Sequence, residues 1–143
     1  MTTASIAARL GGTRVLHDEI ETDLDLIRAL AHGLPAGAID HVLGEGGLSL
    51  DELHRLVIPR RTLALRRQRR QALTAEESDR LARVARILAF ADETFGDRDK
   101  SARWLRKANR GLAGNVPIEL LSTETGGRLV EQALGRIAHG VFA

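Results

Sequence analysis

Ser49-Leu50-Asp51-Glu52-Leu53-His54-Arg55-Leu56-Val57-Ile58-Pro59-Arg60-Arg61-Thr62-Leu63-Ala64-Leu65-Arg66-Arg67-Gln68-Arg69-Arg70 reads as two short helices and the break between them. Ser49 with Glu52 three residues on is a capping box: the hydroxyl accepts an orphan N–H while the carboxylate reaches back to the cap. Leu53, Leu56 and Val57 then give one apolar stripe. Pro59 cannot continue that helix, because its ring removes a donor and clashes with the preceding turn, and its fixed φ suits a helix start. A second helix follows, with Leu63 and Leu65 turned toward the core. Two short helices around a tight Ile58-Pro59 break have the layout of a helix-turn-helix.

The second helix carries the charge. Residues 1–54 hold three Arg against nine acids, a charge of −6, whereas residues 55–75 hold seven Arg and no acid. Excess positive charge confined to one short segment points to a polyanion. Guanidinium groups there can pair with phosphates or reach guanine edges in the major groove. The candidate DNA-binding residues are Arg60, Arg61, Thr62, Arg66, Arg67, Arg69 and Arg70. Arg60, Thr62 and Arg67 are expected to point outward, and no acid between Leu53 and Ala75 can neutralise the cluster locally. The bland alternative is a solvated cationic face. Six to eight phosphate contacts would make binding fall steeply with salt.

Working outward, Thr22 precedes an acidic first turn and the apolar positions Leu24, Ile27 and Ala31. Pro35 suits the first turn of a helix with Ile39, Val42 and Leu43, closed by Gly44-Glu45-Gly46-Gly47. Thr74 with Glu77 repeats the capping box and opens a long helix over 75–95, whose Leu81, Val84, Ala85 and Leu88 share a face. Asp97 caps a helix containing Ala102, Trp104 and Leu105, and a turn spans Gly111 to Pro117. Ile118 to Leu121 form a short helix, and Thr125 to about His139 the last one, with Gly126-Gly127 read as a break before it. No segment alternates with period two for long. The fold class is all-α.

Composition narrows the chemistry. Hydrophobic residues make up 43% of the 143, enough for one compact domain or two small ones sharing a core. Aromatics are 3% and Leu, Ala and Arg dominate, which favours helix over strand. With no Cys, disulfides and thiolate chemistry are excluded, and His17, His32, His41, His54 and His139 form no metal-ligand pair. No stretch approaches the roughly 20 apolar residues of a membrane span, so the expected location is the cytoplasm. Neither glycine cluster follows a strand or precedes Lys-Ser/Thr, so neither is a phosphate loop. No catalytic residue, metal or cofactor is expected, and the chain reads as a non-enzyme.

The last forty residues add a longer pattern. Arg103-Trp104-Leu105, Asn109-Arg110-Gly111-Leu112-Ala113-Gly114, Pro117-Ile118-Glu119-Leu120-Leu121, Thr123-Glu124-Thr125-Gly126-Gly127 and Leu134-Gly135-Arg136-Ile137-Ala138-His139-Gly140-Val141-Phe142-Ala143 follow in order. This succession resembles the toxin-binding domain of the Xre/MbcA/ParS antitoxins, and residues 20–80 resemble the Xre-like helix-turn-helix that accompanies it. The family pattern more often has Pro at the position of Ala108 and Gly at that of Ala113.

The resemblance implies a type II antitoxin. It implies a cognate RES-domain toxin that consumes NAD or transfers ADP-ribose from it, covering of that NAD cleft, and repression of the operon through operator DNA. The organisation expected is an N-terminal arm over 1–19, whose order the sequence leaves open, an Xre-like helix-turn-helix domain over 20–80 and a toxin-binding domain over 81–143. The residues assigned to the toxin are Trp104, Leu129, Arg136, Ile137, Gly140, Val141, Phe142 and Ala143. Gly140 can end the last helix in a left-handed cap, so that Val141-Phe142-Ala143 project as an apolar plug, while core packing is the simpler role for Trp104. The apolar faces of 75–95 and 125–139 exceed what one short bundle covers, which predicts a homodimer and a hetero-oligomer with the toxin. The alternatives are a stand-alone helix-turn-helix regulator whose C-terminal helices only dimerise, and an oligomerising scaffold with an incidental basic face.

Overall fold

The structure, a computed structural model, describes residues 1–45 and 47–140. Nine α-helices follow in order among these residues: α1 (Thr3–Arg9), α2 (Gly12–Leu16), α3 (Asp23–His32), α4 (Gly37–Gly44), α5 (Leu50–Leu56), α6 (Arg60–Gln68), α7 (Ala75–Phe95), α8 (Arg98–Leu105) and α9 (Glu124–Ala138). Two 3₁₀ turns, Arg110–Leu112 and Pro117–Ser122, lie between α8 and α9. No strand occurs among the described residues, and an isolated bridge pairs Asn109 with Asn115.

The helix starts follow from local chemistry. Thr22, Ser49 and Thr74 each accept the N–H three residues on, and Asp25, Glu52 and Glu77 return the bond to complete capping boxes. Asp97 accepts from Asp99 and Lys100 at the start of α8, and Thr123 from Gly126 at the start of α9. Pro59 occupies the N-cap of α6, with φ −60° and ψ 149°, one residue earlier than the first helical position. Gly96 closes α7 at φ 63°, a left-handed conformation.

α7 is the axis of the molecule. Leu81, Val84, Ala85, Ile87, Leu88 and Ala91 are buried along it, enclosed by α1, α3, α8, α9 and the Pro117–Ser122 turn. α9 contributes Val130, Ala133 and Leu134, and the turn Ile118 and Leu121. The apolar faces of α7 and α9, expected to call for a second chain, therefore cover each other within one chain.

Two expectations change here. The first nineteen residues, read as an arm of open order, contain α1 and α2. Thr2 and Ser5 form a reciprocal cap, while Ile6, Ala7, Leu10 and Leu16 enter the core. Arg9 holds α1 to α7 through Asp92 at 2.7 Å. Gly126 and Gly127, expected as a break, instead lie in the first turn of α9. A Cβ on Gly126 would stand 1.8 Å from the Leu120 carbonyl oxygen, and one on Gly127 2.8 Å from Cδ of Arg83. Only glycine lets α9 come this close to α7 and the turn before it.

Candidate nucleic-acid interface

α5 and α6 form the helix-turn-helix. Leu53, Leu56, Val57 and Ile58 are buried on one side of the break and Leu63 on the other, so the hinge is anchored in the core. The Leu53 carbonyl accepts from both Val57 and Ile58 N–H, at 2.9 and 3.2 Å. Two side chains then take the carbonyls left over by the turn. Arg80 of α7 donates Nε–H to the Val57 oxygen at 2.8 Å, and the His54 ring meets the Ile58 oxygen through Nδ1 at 3.0 Å. A carbonyl only accepts, so Nδ1 carries the hydrogen. His54 is thus part of the turn.

The arginines of α6 divide into two groups. Arg60 and Arg61 at its start and Arg69 and Arg70 just past its end are exposed, about 13 Å apart along the axis at 1.5 Å per residue. Arg66 and Arg67 are engaged within the chain. Arg66 grips buried Glu77 with Nε and Nη2, both at 3.1 Å, and Arg67 grips Asp40 of α4 at 2.8 and 3.3 Å. The acids that the local sequence lacks are supplied by α4 and α7. Thr62 and Leu65 are half-buried. Arg70 closes α6 in a left-handed conformation at φ 52°, its N–H on the Arg67 carbonyl and that of Gln71 on Arg66.

Burial pushes the Glu77 carboxyl up, but hydrogen bonds from Arg66 and from the Thr74 N–H outweigh it and hold it below the usual range. Glu52 in α5 follows the same rule. Burial raises it, while Arg106 and the Ser49 N–H bring it below its ordinary value. Arg55 is a second tie from α5, to Glu119 of the Pro117–Ser122 turn, with bonds of 2.6 and 3.3 Å.

The C-terminal third packs directly on this unit. Asn109 folds the 109–115 turn onto itself, its side chain accepting from Gly111 at 2.8 Å and its N–H reaching the Asn115 oxygen at 3.0 Å. Ala113 sits there at φ 55° and ψ 35°, where the family pattern more often has Gly. Arg83, buried in α7, donates to the Leu121 carbonyl at 3.4 Å and to Asp79 at 2.9 Å.

Of the residues assigned to a protein partner, Trp104 lies on α8 and Leu129, Arg136 and Ile137 lie on α9. Trp104 is half-buried at the α7–α8 corner, its ring 5.8 Å from that of Phe95. Leu129 is 44% exposed on α9, while Arg136 and Ile137 are half-buried two turns further on. Among the described residues nothing lies within 4 Å of where a Cβ on Gly135 would stand. Gly140 is exposed at φ 68°, its N–H on the Ile137 carbonyl at 3.1 Å, and Val141, Phe142 and Ala143 lie outside the described residues. Arg80, His54, Arg106 and Glu119 had no sequence signal beyond charge, since their partners lie four to sixty-four residues away. No described helix is long and apolar enough to cross a membrane.

Comparison with known proteins agrees with this architecture. Residues 25–86 match the Antitoxin Xre-like helix-turn-helix domain, and residues 90–140 the Antitoxin Xre/MbcA/ParS C-terminal toxin-binding domain. The chain is 37% identical to an Antitoxin Xre of Pseudomonas putida over 85% of its own length and 76% of that protein. It is 34% identical to one of Photorhabdus laumondii over 80% and 78%, and 35% identical to one of Yersinia enterocolitica over 82% and 81%.

Proposed function

This chain belongs to the Xre family of antitoxins, and we propose that it silences a RES-domain toxin that uses NAD while repressing its own operon. The observation that carries the reading is that one folded unit leaves both working faces open. Arg60 and Arg61 are exposed on α6 at the same time as Leu129 is exposed on α9. DNA and a protein partner can therefore be held by the same molecule. The protein acts in the cytoplasm, without catalytic residues or cofactor of its own.

In this reading Arg60, Arg61, Arg69 and Arg70 meet DNA, with Thr62 beside them, while Arg66 and Arg67 set the angle of α6 through Glu77 and Asp40. The working division falls near residue 80, inside α7, with the DNA-reading part over 20–80 and the toxin-binding part over 81–143. Arg136 and Ile137 flank a plug made of Val141, Phe142 and Ala143, released from α9 by the left-handed turn at Gly140. A Phe entering a concave nicotinamide-nucleotide cleft excludes substrate with no covalent step. Leu129 and Trp104 extend the contact. The chain acts as a homodimer that assembles with its toxin into a hetero-oligomer.

The test is co-expression with the product of the adjacent open reading frame. The neighbour alone should arrest growth and lower cellular NAD or label proteins with ADP-ribose; this chain should co-purify with it and restore both. A neighbour that does not co-purify, or whose toxicity leaves NAD and ADP-ribosylation unchanged, overturns the reading.

A further inference from the structure

We propose that α3 is the face through which two copies of this chain associate, antiparallel across a two-fold axis. The inference rests on the homodimer reading above and names its interface. With α7 and α9 covering each other, the large apolar side chains still exposed among the described residues are Met1, Leu24, Ile27, Leu50 and Leu129. Leu50 and Leu129 stand on separate helices. Leu24 and Ile27, 63% and 59% exposed, are one turn apart on α3, and exposed Ala31 continues the stripe.

α3 is apolar on both sides. Leu26, Ala29 and Leu30 pack half-buried toward the core, and no residue of the helix is fully buried. A helix with two apolar faces belongs between two partners. The inner partner is α7 with α1; among the described residues no element covers the outer face. α3 also stands as a ridge between two hollows of mixed lining, one with Leu26 and Leu30 beside Arg83 and Arg86, the other with Ile20 and Ala29 among Asp18, Glu19, Asp25, Arg28 and His32.

Charge selects the occupant. Glu21, Asp23 and Asp25 crowd the start of the helix, whereas Arg28 and His32 lie in its second half. Arg28 is 76% exposed and reaches Asp25 of its own helix only at 3.7 Å. In an antiparallel pair with the axis between Ile27 and Arg28, Leu24 of one copy falls opposite Ala31 of the other, a large side chain against a small one. Glu21 and Asp25 share one flank of the helix with Arg28 and His32, so on that flank each acidic end lies along a basic one. This segregation also suits the helix dipole, but the dipole does not account for Leu24 and Ile27. A self-complementary patch of this kind fits a second copy of the same surface.

The chain has no Cys, so a single introduced thiol reports its own neighbourhood. In the full chain Ile27→Cys should form a disulfide-linked dimer under mild oxidation, because a residue beside a two-fold axis faces its own copy. Leu129→Cys and Leu50→Cys should not. Ile27→Arg and, separately, Leu24→Arg should shift the protein to monomer by sedimentation at micromolar concentration, with helical circular dichroism unchanged. A wild-type monomer would sink both this proposal and the homodimer reading. A wild-type dimer that survives Ile27→Arg and cross-links through Leu129→Cys would overturn α3 alone. Survival of the dimer with loss of toxin co-purification would assign the face to the toxin instead, and likewise overturns it.

Discussion

Arg106, just past the end of α8, grips Glu52 in the first turn of α5 through two bonds of 3.0 and 2.9 Å, and its second Nη donation reaches the Gly47 carbonyl at 3.2 Å. Glu52 also completes the Ser49 capping box, accepting the Ser49 N–H at 3.0 Å. Arg66 repeats the arrangement on Glu77, the capping carboxylate of α7. Both capping glutamates flanking the helix-turn-helix are thus buried and claimed bidentately by a distant arginine. A bidentate guanidinium–carboxylate pair fixes direction as well as distance.

Removing Arg106 leaves the buried Glu52 carboxylate with its cap bond alone. Arg106→Met is expected to destabilise the fold by about 2 kcal/mol, below the usual cost of breaking a buried pair because the arginine end is partly wet. Arg106→Met with Glu52→Gln should recover part of the loss. Urea midpoints for the two singles and the double give the coupling; additive losses would mean the pair does not act as a unit.

The two groups of arginines in α6 should separate by phenotype. Arg60→Ala with Arg61→Ala is expected to weaken operator binding and flatten its salt dependence while leaving thermal unfolding in place. Arg66→Ala should lower the unfolding temperature first, since it strands Glu77. Gel shifts and thermal melts on both variants check this, and unchanged affinity in the Arg60/Arg61 pair at moderate salt would take α6 out of the interface.

Ala113 holds a left-handed conformation that costs an L-residue roughly 1–2 kcal/mol. Ala113→Gly removes that strain but adds freedom to the unfolded chain, worth about 0.4–1 kcal/mol. The net expectation is a gain of a few tenths to about 1 kcal/mol in chemical unfolding. A loss on this substitution would show that the methyl group packs usefully.

Glu52 and Glu77 are both held below the ordinary glutamate value of 4.5. The unfolded chain therefore binds protons that the folded chain refuses once the pH drops below that value. The stability these groups supply is complete above it and drains away as pH falls toward their folded values. Urea midpoints should decline through this acid range, with a shallower decline in Glu52→Gln/Glu77→Gln. An equal slope in that variant would place the acid sensitivity elsewhere.

Deleting residues 140–143 is expected to leave folding, dimerisation and DNA binding intact and to reduce toxin silencing sharply. Truncating a buried aromatic anchor costs a few kcal/mol, about a hundredfold in affinity. Growth rescue at matched protein levels measures it; full rescue by the shortened chain would move inhibition to the helical surface around Leu129.

The helix boundaries were legible because their signals are local. Ser49–Glu52, Thr74–Glu77 and Asp97 announce their own first turns, and Pro59 can only interrupt. The α1–α2 segment was missed because its cap is a Thr–Ser pair and its apolar positions are few. Gly126 was misread because its reason is the Leu120 carbonyl, a close approach that spacing along the chain does not encode. The same holds for Arg66 and Arg67, which look unpaired within 55–75 and find Glu77 and Asp40 only after folding.

α7 is buried by elements from both ends of the chain, so the DNA-reading part and the toxin-binding part share one continuous core. A protease cut anywhere along that helix would expose Leu81, Ile87 and Leu88 together and leave two fragments without a scaffold. On the proposed reading, DNA binding and neutralisation would then end in the same event, with cleavage of a single backbone segment.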